Sequence, residues 1–358
     1  MATARQRGSV VVLYNSVSDE GYEKLRDVDP ETLGFKPEYD IAVSTVAEEY
    51  AAIVDGLKEA GFQAREVNLA EDIRNLERLV RRNPPDVVFN LVEGFHDDAD
   101  LEPAIAGFLD LYRIPYTGAP PIALANCRRK GLTKQLLLAN GVPTPKFLQL
   151  NKPKIAVRHG LHYPLIIKPA REDASAGVDE KSVVYDRAEL LAQLERVFAE
   201  FDPPILVEEF IEGREFHVGI LGNDPGEVLP PLEYDFSELP DDQPSVISYA
   251  AKWDPLAEVF HRVAAHCPAD MTKRLEKKIQ DVALRAYKVS GCRDYARLDL
   301  RVSADNHVYV LEVNPNPDLT EGVSFMHSAE VAGYTFSKTL RKIVEMALAR
   351  TPEPLPAA

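Results

Sequence analysis

The stretch VYVLEVNPNPD, residues 308–318, decides the fold, because its apolar and polar residues do not sort as those of an ordinary strand do. Val308, Val310, Leu311 and Val313 read as core, whereas Glu312 and Asn314, two residues apart, do not. Side chains alternate faces along a strand, so Glu312 and Asn314 point to one side. A carboxylate taken out of water is costly unless something pairs with it. Either this is the exposed face of an edge strand, or the two residues hold a cation.

The run just upstream, YARLDLRV (295–302), puts Arg297, Asp299 and Arg301 on one face and Leu298, Leu300 and Val302 on the other. A turn at ADN (304–306) joins the two runs into a hairpin. Pairing them brings Asp299, Glu312 and Asn314 onto one polar face. Two carboxylates and an amide oxygen are hard ligands that suit Mg²⁺ shared with phosphate oxygens. The competing reading is a solvated sheet face with cross-strand ion pairs. Pro315 and Pro317 weigh against it, because they fix the loop that would frame a site.

At 358 residues the chain is long enough for two or three domains or one elaborate α/β enzyme. Its 45% hydrophobic and 27% charged content is that of a soluble globular protein. The net charge of −16 argues against a nucleic-acid or anionic-membrane partner, either of which needs a basic face. Cys127, Cys267 and Cys292 form no C-x-x-C pair, so neither a disulfide framework nor a zinc site is indicated. No signal peptide opens the chain, and no apolar run approaches the roughly 18 residues of a membrane span. A reduced, cytoplasmic protein is expected.

The first third alternates strand and helix, which implies a parallel sheet with right-handed crossovers. SVVVLYN is a strand, and STVAEEYAAIVDGLKEAGF an amphipathic helix that Ser44 or Thr45 can cap and Gly61 can end. No G-x-G-x-x-G follows the first strand, so a dinucleotide site there is not expected. Further on, YPLIIKPAREDASAGV carries a strand into a small-residue loop, and PPILVEEFIEG is a strand ending in a turn. Residues 237–260 read as a loop, a helix covers about 335–350, and TPEPLPAA is a frayed tail.

A Lys ending an apolar strand before a Ser/Ala/Gly loop can place an ammonium and several backbone N–H groups around phosphates; Lys168 stands so, and its alternative is a snorkelling side chain. Glu208 and Glu209 end another strand ahead of a hydrophobic linker. Asn90, Glu93 and His96 follow a parallel strand where open α/β sheets bind ligands. Nothing matches G-x-S-x-G or H-E-x-x-H, so serine and zinc hydrolysis have no support.

Taken in order, IPYTG, RRKGLTKQLLLANGVPTP, YPLIIKPAREDASAGV, LVEEFIEGREFHVGIL, GCRDYARLDLRV and VYVLEVNPNPDLT resemble the ATP-grasp superfamily, specifically its D-alanine–D-alanine ligase branch. The resemblance implies an α/β chain, α+β in its C-terminal part, with the ATP-grasp fold. Its three domains would be an N-terminal α/β unit (1–119), a central ATP-grasp subdomain (120–209) and a C-terminal metal-binding one (210–350), then the tail 351–358. It implies ATP and two Mg²⁺ ions as cofactors, with Mn²⁺ an acceptable substitute. Lys130 and Lys168 match the phosphate-binding lysines, and Lys252 a third basic residue near them. Ser175 lies in the loop REDASAG that matches the lid over the triphosphate. Glu208 matches the position at the nucleotide's polar edge, Glu209, Phe210 and Ile211 the adenine linker, and Glu215 the ribose-binding acid. Asp299, Glu312 and Asn314 match the metal ligands, and Arg297 the arginine beside the transferred phosphate and oxyanion. Arg297 and Lys252 are the expected catalytic groups.

The departures cluster at the amino-acid end, where Glu93, His96, Trp253, Asp318 and Ser324 are the candidate substrate residues. The branch has a lid Ser where Ala174 stands, a Tyr where Trp253 stands, and a Gly where Asp318 stands. The branch's N-terminal Glu is missing too, with Glu48 or Glu49 as replacements. The expected activity is amide-bond formation between a small-molecule carboxylate and an amine through an acyl phosphate, on amino acids other than or in addition to D-alanine. Alternatives are D-alanine–D-alanine ligation proper, phosphotransfer, or ATP binding without catalysis. Ligases of this type are often homodimers.

Overall fold

The computed structural model describes residues 8–15, 24–41, 43–173, 175–240 and 242–350. Strand β1 (Ser9–Tyr14) is the centre of a parallel sheet of order β2-β1-β3, with β2 (Gln63–Asn68) and β3 (Val87–Asn90) on either side. Val10, Val11, Val12 and Leu13 are all buried, as an apolar run must be when both sheet faces are covered. The covering helices include α1 (Val46–Glu59), α2 (Ile73–Arg82) and α3 (Glu102–Leu111). Of the two capping candidates, Thr45 is the one used. Its hydroxyl accepts from the Glu48 N–H while the Glu48 carboxylate accepts from the Thr45 N–H, a reciprocal capping box. Gly61, at φ +93°, supplies the left-handed residue that ends the turn.

Helices α4 (Pro121–Cys127) and α5 (Lys130–Ala139) lead into an antiparallel sheet of order β4-β7-β5-β6. Its strands are β4 (Phe147–Leu150), β5 (Leu165–Pro169), β6 (Val183–Val184) and β7 (Ile205–Glu209), backed by α6 (Arg187–Glu200). The third sheet holds β8 (Arg214–Leu221), β9 (Glu227–Val228), β10 (Leu232–Asp235), β11 (Ala264–His266), β12 (Tyr295–Val302) and β13 (Val308–Asn314). Their order is β11-β10-β8-β12-β13, with β9 beside β8. Residues 237–260, expected as a loop, contain the five-residue helices α7 (Tyr249–Trp253) and α8 (Glu258–Arg262), too short for a 3.6-residue period to show. After α9 (Lys273–Ser290) and the hairpin come α10 (Ser324–Val331), which the sequence did not suggest, and α11 (Phe336–Ala349). No helix among the described residues is long and apolar enough to cross a membrane, and the tail 351–358 lies outside them.

The hairpin resolves the puzzle of residues 308–314. Arg297 faces Asn314 and Asp299 faces Glu312, but the register then shifts and Leu300 faces Val310. Leu311 is therefore an extra residue, a β-bulge that resets the alternation. Val308 and Val310 point inward before it and Val313 after it, so all three are buried while Glu312 and Asn314 share the other face. Leu311 itself is not core, as the pattern had suggested; it lines a cleft. Nor is the polar face a solvated edge. Strand β12 is flanked by β8 and β13, and Asp299 is only 5% exposed. The thiols of Cys127 and Cys292, distant in sequence, meet in the core behind this sheet, where hydrogen bonding to Cys127 and burial push Cys292 well above the usual thiol range.

Candidate nucleotide- and metal-binding site

A cleft of about 740 Å³ opens between the second and third sheets. One wall is the strand ends of β5 and β7, which present Lys168 and Glu208, continued by Glu209, Phe210 and Ile211. The opposite wall is the polar face of β8, β12 and β13, with Glu215, Asp299 and Glu312. Lys130, Ser175 and Lys252 of α7 line the cleft as well. Residues as distant in sequence as Lys130 and Glu312 thus converge because two sheets turn their ends toward one space.

Glu208, Lys168, Lys130, Glu312 and Asp299 each have a partner of opposite sign. Glu208 lies between Lys134 (2.8 Å) and Lys168 (2.6 Å). Burial disfavours its charge, yet Lys134 and Lys168 outweigh that and hold its carboxyl below the ordinary range. Lys130 contacts Glu312 (2.6 Å) and Asp173 (3.1 Å) and donates to the Glu172 carbonyl. Burial opposes its charge, but the two carboxylates keep Lys130 above the usual lysine value. Asp173 also accepts from Arg128 (2.9 Å). Arg297 holds Asp299 through two bonds, of 2.8 and 3.1 Å, and Asn314 donates to the same carboxylate at 3.1 Å. Against the cost of burial, Arg297, His217 and Lys252 drive the Asp299 carboxyl well below its usual range.

Asp299, Glu312 and Asn314 share one face, and their oxygens are the hard donors that a magnesium ion takes. Among the described residues no three His, Cys, Asp or Glu side chains form a metal cluster, so the donor set needs the amide. Because Asn314 donates its Nδ2 to Asp299, its amide oxygen stays available. The donor chemistry fits, with Lys130 and Arg297 as the groups that would exchange partners.

The expected substrate residues are not gathered to the same degree. His96 turns to Glu71, whose carboxylate accepts from its N–H at 2.6 Å, and its side chain is 64% exposed; it is not among the residues that line the cleft. Trp253 ends α7 at 41% exposure and does not line the cleft, because the five-residue helix turns its neighbour Lys252 inward instead. Glu93 and Asp318 do come together. Burial, then the charges of Asp318 and Asp173, raise the Glu93 carboxyl, and Tyr50 feels Glu93, Glu49 and Asp318 together. Glu48 is committed to the Thr45 cap and to Arg26, which leaves Glu49 as the helix acid whose charge reaches this group. Ser324 is buried at φ +25° and its hydroxyl pairs with His217 Nδ1 at 2.9 Å.

Three residues escaped sequence reading. His217, on β8, is 3.5 Å from Asp299 through Nε2, and burial, with Arg297 and Lys252 adding to it, pushes its imidazole well below the usual value. Lys134 and Arg301 are also buried partners of cleft carboxylates. The available signal was parity: Glu215 and His217 alternate with apolar residues in REFHVGIL, opposite Arg301 and Asp299 of the neighbouring strand.

The model of the D-ala D-ala ligase C-terminus matches residues 136–345, which span all of the second and third sheets. The chain belongs to the D-alanine–D-alanine ligase family. A D-alanine–D-alanine ligase of Carboxydothermus hydrogenoformans is 30% identical over 307 residues, 83% of this chain and 91% of its own length. An uncharacterised protein, y4sG, of Sinorhizobium fredii is 32% identical over 83% of this chain and 86% of its own. Among solved structures, a Bacillus anthracis D-alanine–D-alanine ligase complexed with ATP superposes with a TM-score of 0.71 at 23% identity, covering 96% of this chain and 98% of that one. The VanG D-Ala:D-Ser ligase of Enterococcus faecalis gives 0.69 at 20% identity, covering 95% and 100%. The three sheets are therefore those of the ATP-grasp fold. Within the D-alanine–D-alanine ligase family the chain is an ADP-forming ATP-grasp ligase.

Proposed function

We propose that the protein joins a carboxylate to an amine at the expense of ATP, through an acyl phosphate, with release of ADP and phosphate. The observation that carries this reading is the pairing of Asp299 with Arg297 and of Glu312 with Lys130 inside one cleft. It supplies anionic ligands for metal and cations for phosphate at the same place. Phe210 and Ile211 would hold the adenine, with Glu208 and Glu209 at its edge and Glu215 at the ribose. Lys130, Lys168, Lys252 and Ser175 would hold the triphosphate. Asp299, Glu312 and Asn314 would hold magnesium, which would offset the charge spread over the phosphates. The substrate carboxylate attacks the γ-phosphorus, and the 171–177 loop keeps water from the acyl phosphate. The amine then attacks the acyl carbon, and Arg297 steadies the oxyanion as phosphate leaves.

The amino-acid end supports substrates other than, or in addition to, D-alanine. Ala174, Trp253 and Asp318 replace the branch's Ser, Tyr and Gly, and Glu93 and Asp318 make that end acidic. The test is phosphate release from MgATP against paired D- and L-amino acids, with mass spectrometry of the products and Glu312→Gln as the background control. Phosphate release that needs both partners and yields an amide mass is expected. A stable phosphorylated product would make the enzyme a phosphotransferase, and ATP binding without turnover across the panel would argue for a binding protein.

A further inference from the structure

Arg301 lies two residues beyond Asp299 on the same face of β12, yet neither phosphate nor metal chemistry calls for it. It is 2% exposed, and a guanidinium taken so far out of water is costly unless all of it is paired. It is paired with care. One terminal nitrogen donates to the Gly213 carbonyl at 2.9 Å, and the other to the Ser245 carbonyl and to Glu215 Oε2, the latter at 2.7 Å. Its Cζ lies 5.1 Å from the ring centre of Phe210 and 5.6 Å from that of Phe236. Each of these partners belongs to the cleft wall or to the segments that carry it: the linker after β7, the acid on β8, and the 236–247 segment whose Val246 and Ile247 line the same space.

Glu215 has other cations to choose from. After burial, which raises its carboxyl, the groups acting on it include Arg301, Lys252 and Lys168. The two lysines lie toward the expected phosphate end, so a free Glu215 would turn to them. One arm of the Arg301 guanidinium holds Glu215 Oε2, with the other arm fixed on the Gly213 carbonyl, and Glu215 lines the cleft from there.

We propose that Arg301 is a positioning residue for nucleotide selection: it tethers Glu215 at the sugar end of the cleft, so that the enzyme distinguishes nucleotides by their ribose hydroxyls. This rests on the nucleotide reading above. A carboxylate accepting from a sugar hydroxyl contributes about 1.5–3 kcal/mol, roughly tenfold to a hundredfold in affinity.

The experiment is calorimetric titration of the full chain, in magnesium, with ATP, 2′-deoxy-ATP and 3′-deoxy-ATP; it needs no amino-acid substrate. Wild type should bind ATP at least about tenfold more tightly than one of the deoxy analogues. In Arg301→Met the ATP affinity should drop to that of the analogue while the analogue's own affinity hardly moves, and Glu215→Gln should do the same with Arg301 intact. Arg301→Lys, which keeps the charge without the fork, should give an intermediate ratio and serves if the Met variant does not fold. A purely structural arginine would weaken all three nucleotides equally and preserve the ratio, which would overturn the proposal. So would a full ratio in Arg301→Lys, or a wild type indifferent to both hydroxyls. A wild type that binds no ATP would instead overturn the nucleotide reading itself.

Discussion

Glu208, 1% exposed, sits between two ammonium groups, and the energetics of such a triad are asymmetric. Its removal leaves two buried cations facing each other, so Glu208→Gln should cost about 3–5 kcal/mol in urea denaturation and weaken ATP binding by loosening Lys168. Glu102 provides the opposite case. Burial, then Glu93 and Asp173, push its carboxyl up to about 8. The folded state therefore keeps a proton that the unfolded chain releases above about pH 4.3, so this group subtracts stability as pH rises from there to about 8. Glu102→Gln, which can still accept from Asn316, should raise the urea midpoint more at pH 8.5 than at pH 5. At this scale the sequence revealed residue types at strand ends, such as Lys168 and Glu208, but not their partners. Lys134 reads as one more helix lysine, and only the approach of β7 makes it part of a triad.

The bulge at Leu311 sets which way the face proposed to hold metal points. With Leu311 kept but paired regularly, strict alternation would put Glu312 and Asn314 on the side of Val308 and Val310, in the core. Deleting Leu311 removes the extra residue and gives a regular strand in which Glu312, directly after Val310, still turns away from the core, so Mn²⁺ binding, read by calorimetry or electron paramagnetic resonance, should survive. Leu311→Ala, which keeps the register, should retain the metal. The clue stood in the sequence, since Val308, Val310 and Val313 cannot all share a face of a regular strand. The parallel sheet, the hairpin and the long helices were legible for similar reasons of period. Helices α7, α8 and α10 were not, because five to eight residues give at most about two turns of pattern.

On the scale of the molecule, the ends of the chain are joined. Helix α11 shares a core with α1, where Leu340 and Ile343 meet Val54 and Leu57. Asp294, fully buried, accepts from the Gly118 N–H at 3.0 Å, from Asn223 at 3.0 Å and from both terminal nitrogens of Arg350. One carboxylate thus fastens the first sheet's exit loop, the third sheet and the last helix. Asp294→Asn should cost about 3–5 kcal/mol, and intrinsic fluorescence and circular dichroism should still report a single coincident unfolding transition. No local pattern marks such a residue, whose partners lie up to 176 positions away. The pairing of Lys130 with Asp173 and Glu312 reaches further still. Had those cations been left bare, they would draw in an anionic nucleotide against the chain's net charge of −16, and salt would slow the encounter. Here the cations are already satisfied, so binding is an exchange of counter-ions between carboxylates and phosphates. Stopped-flow association of MgATP should accordingly be nearly flat from 20 to 300 mM salt, as estimated from a Debye length that falls from roughly 20 Å to 6 Å across that range.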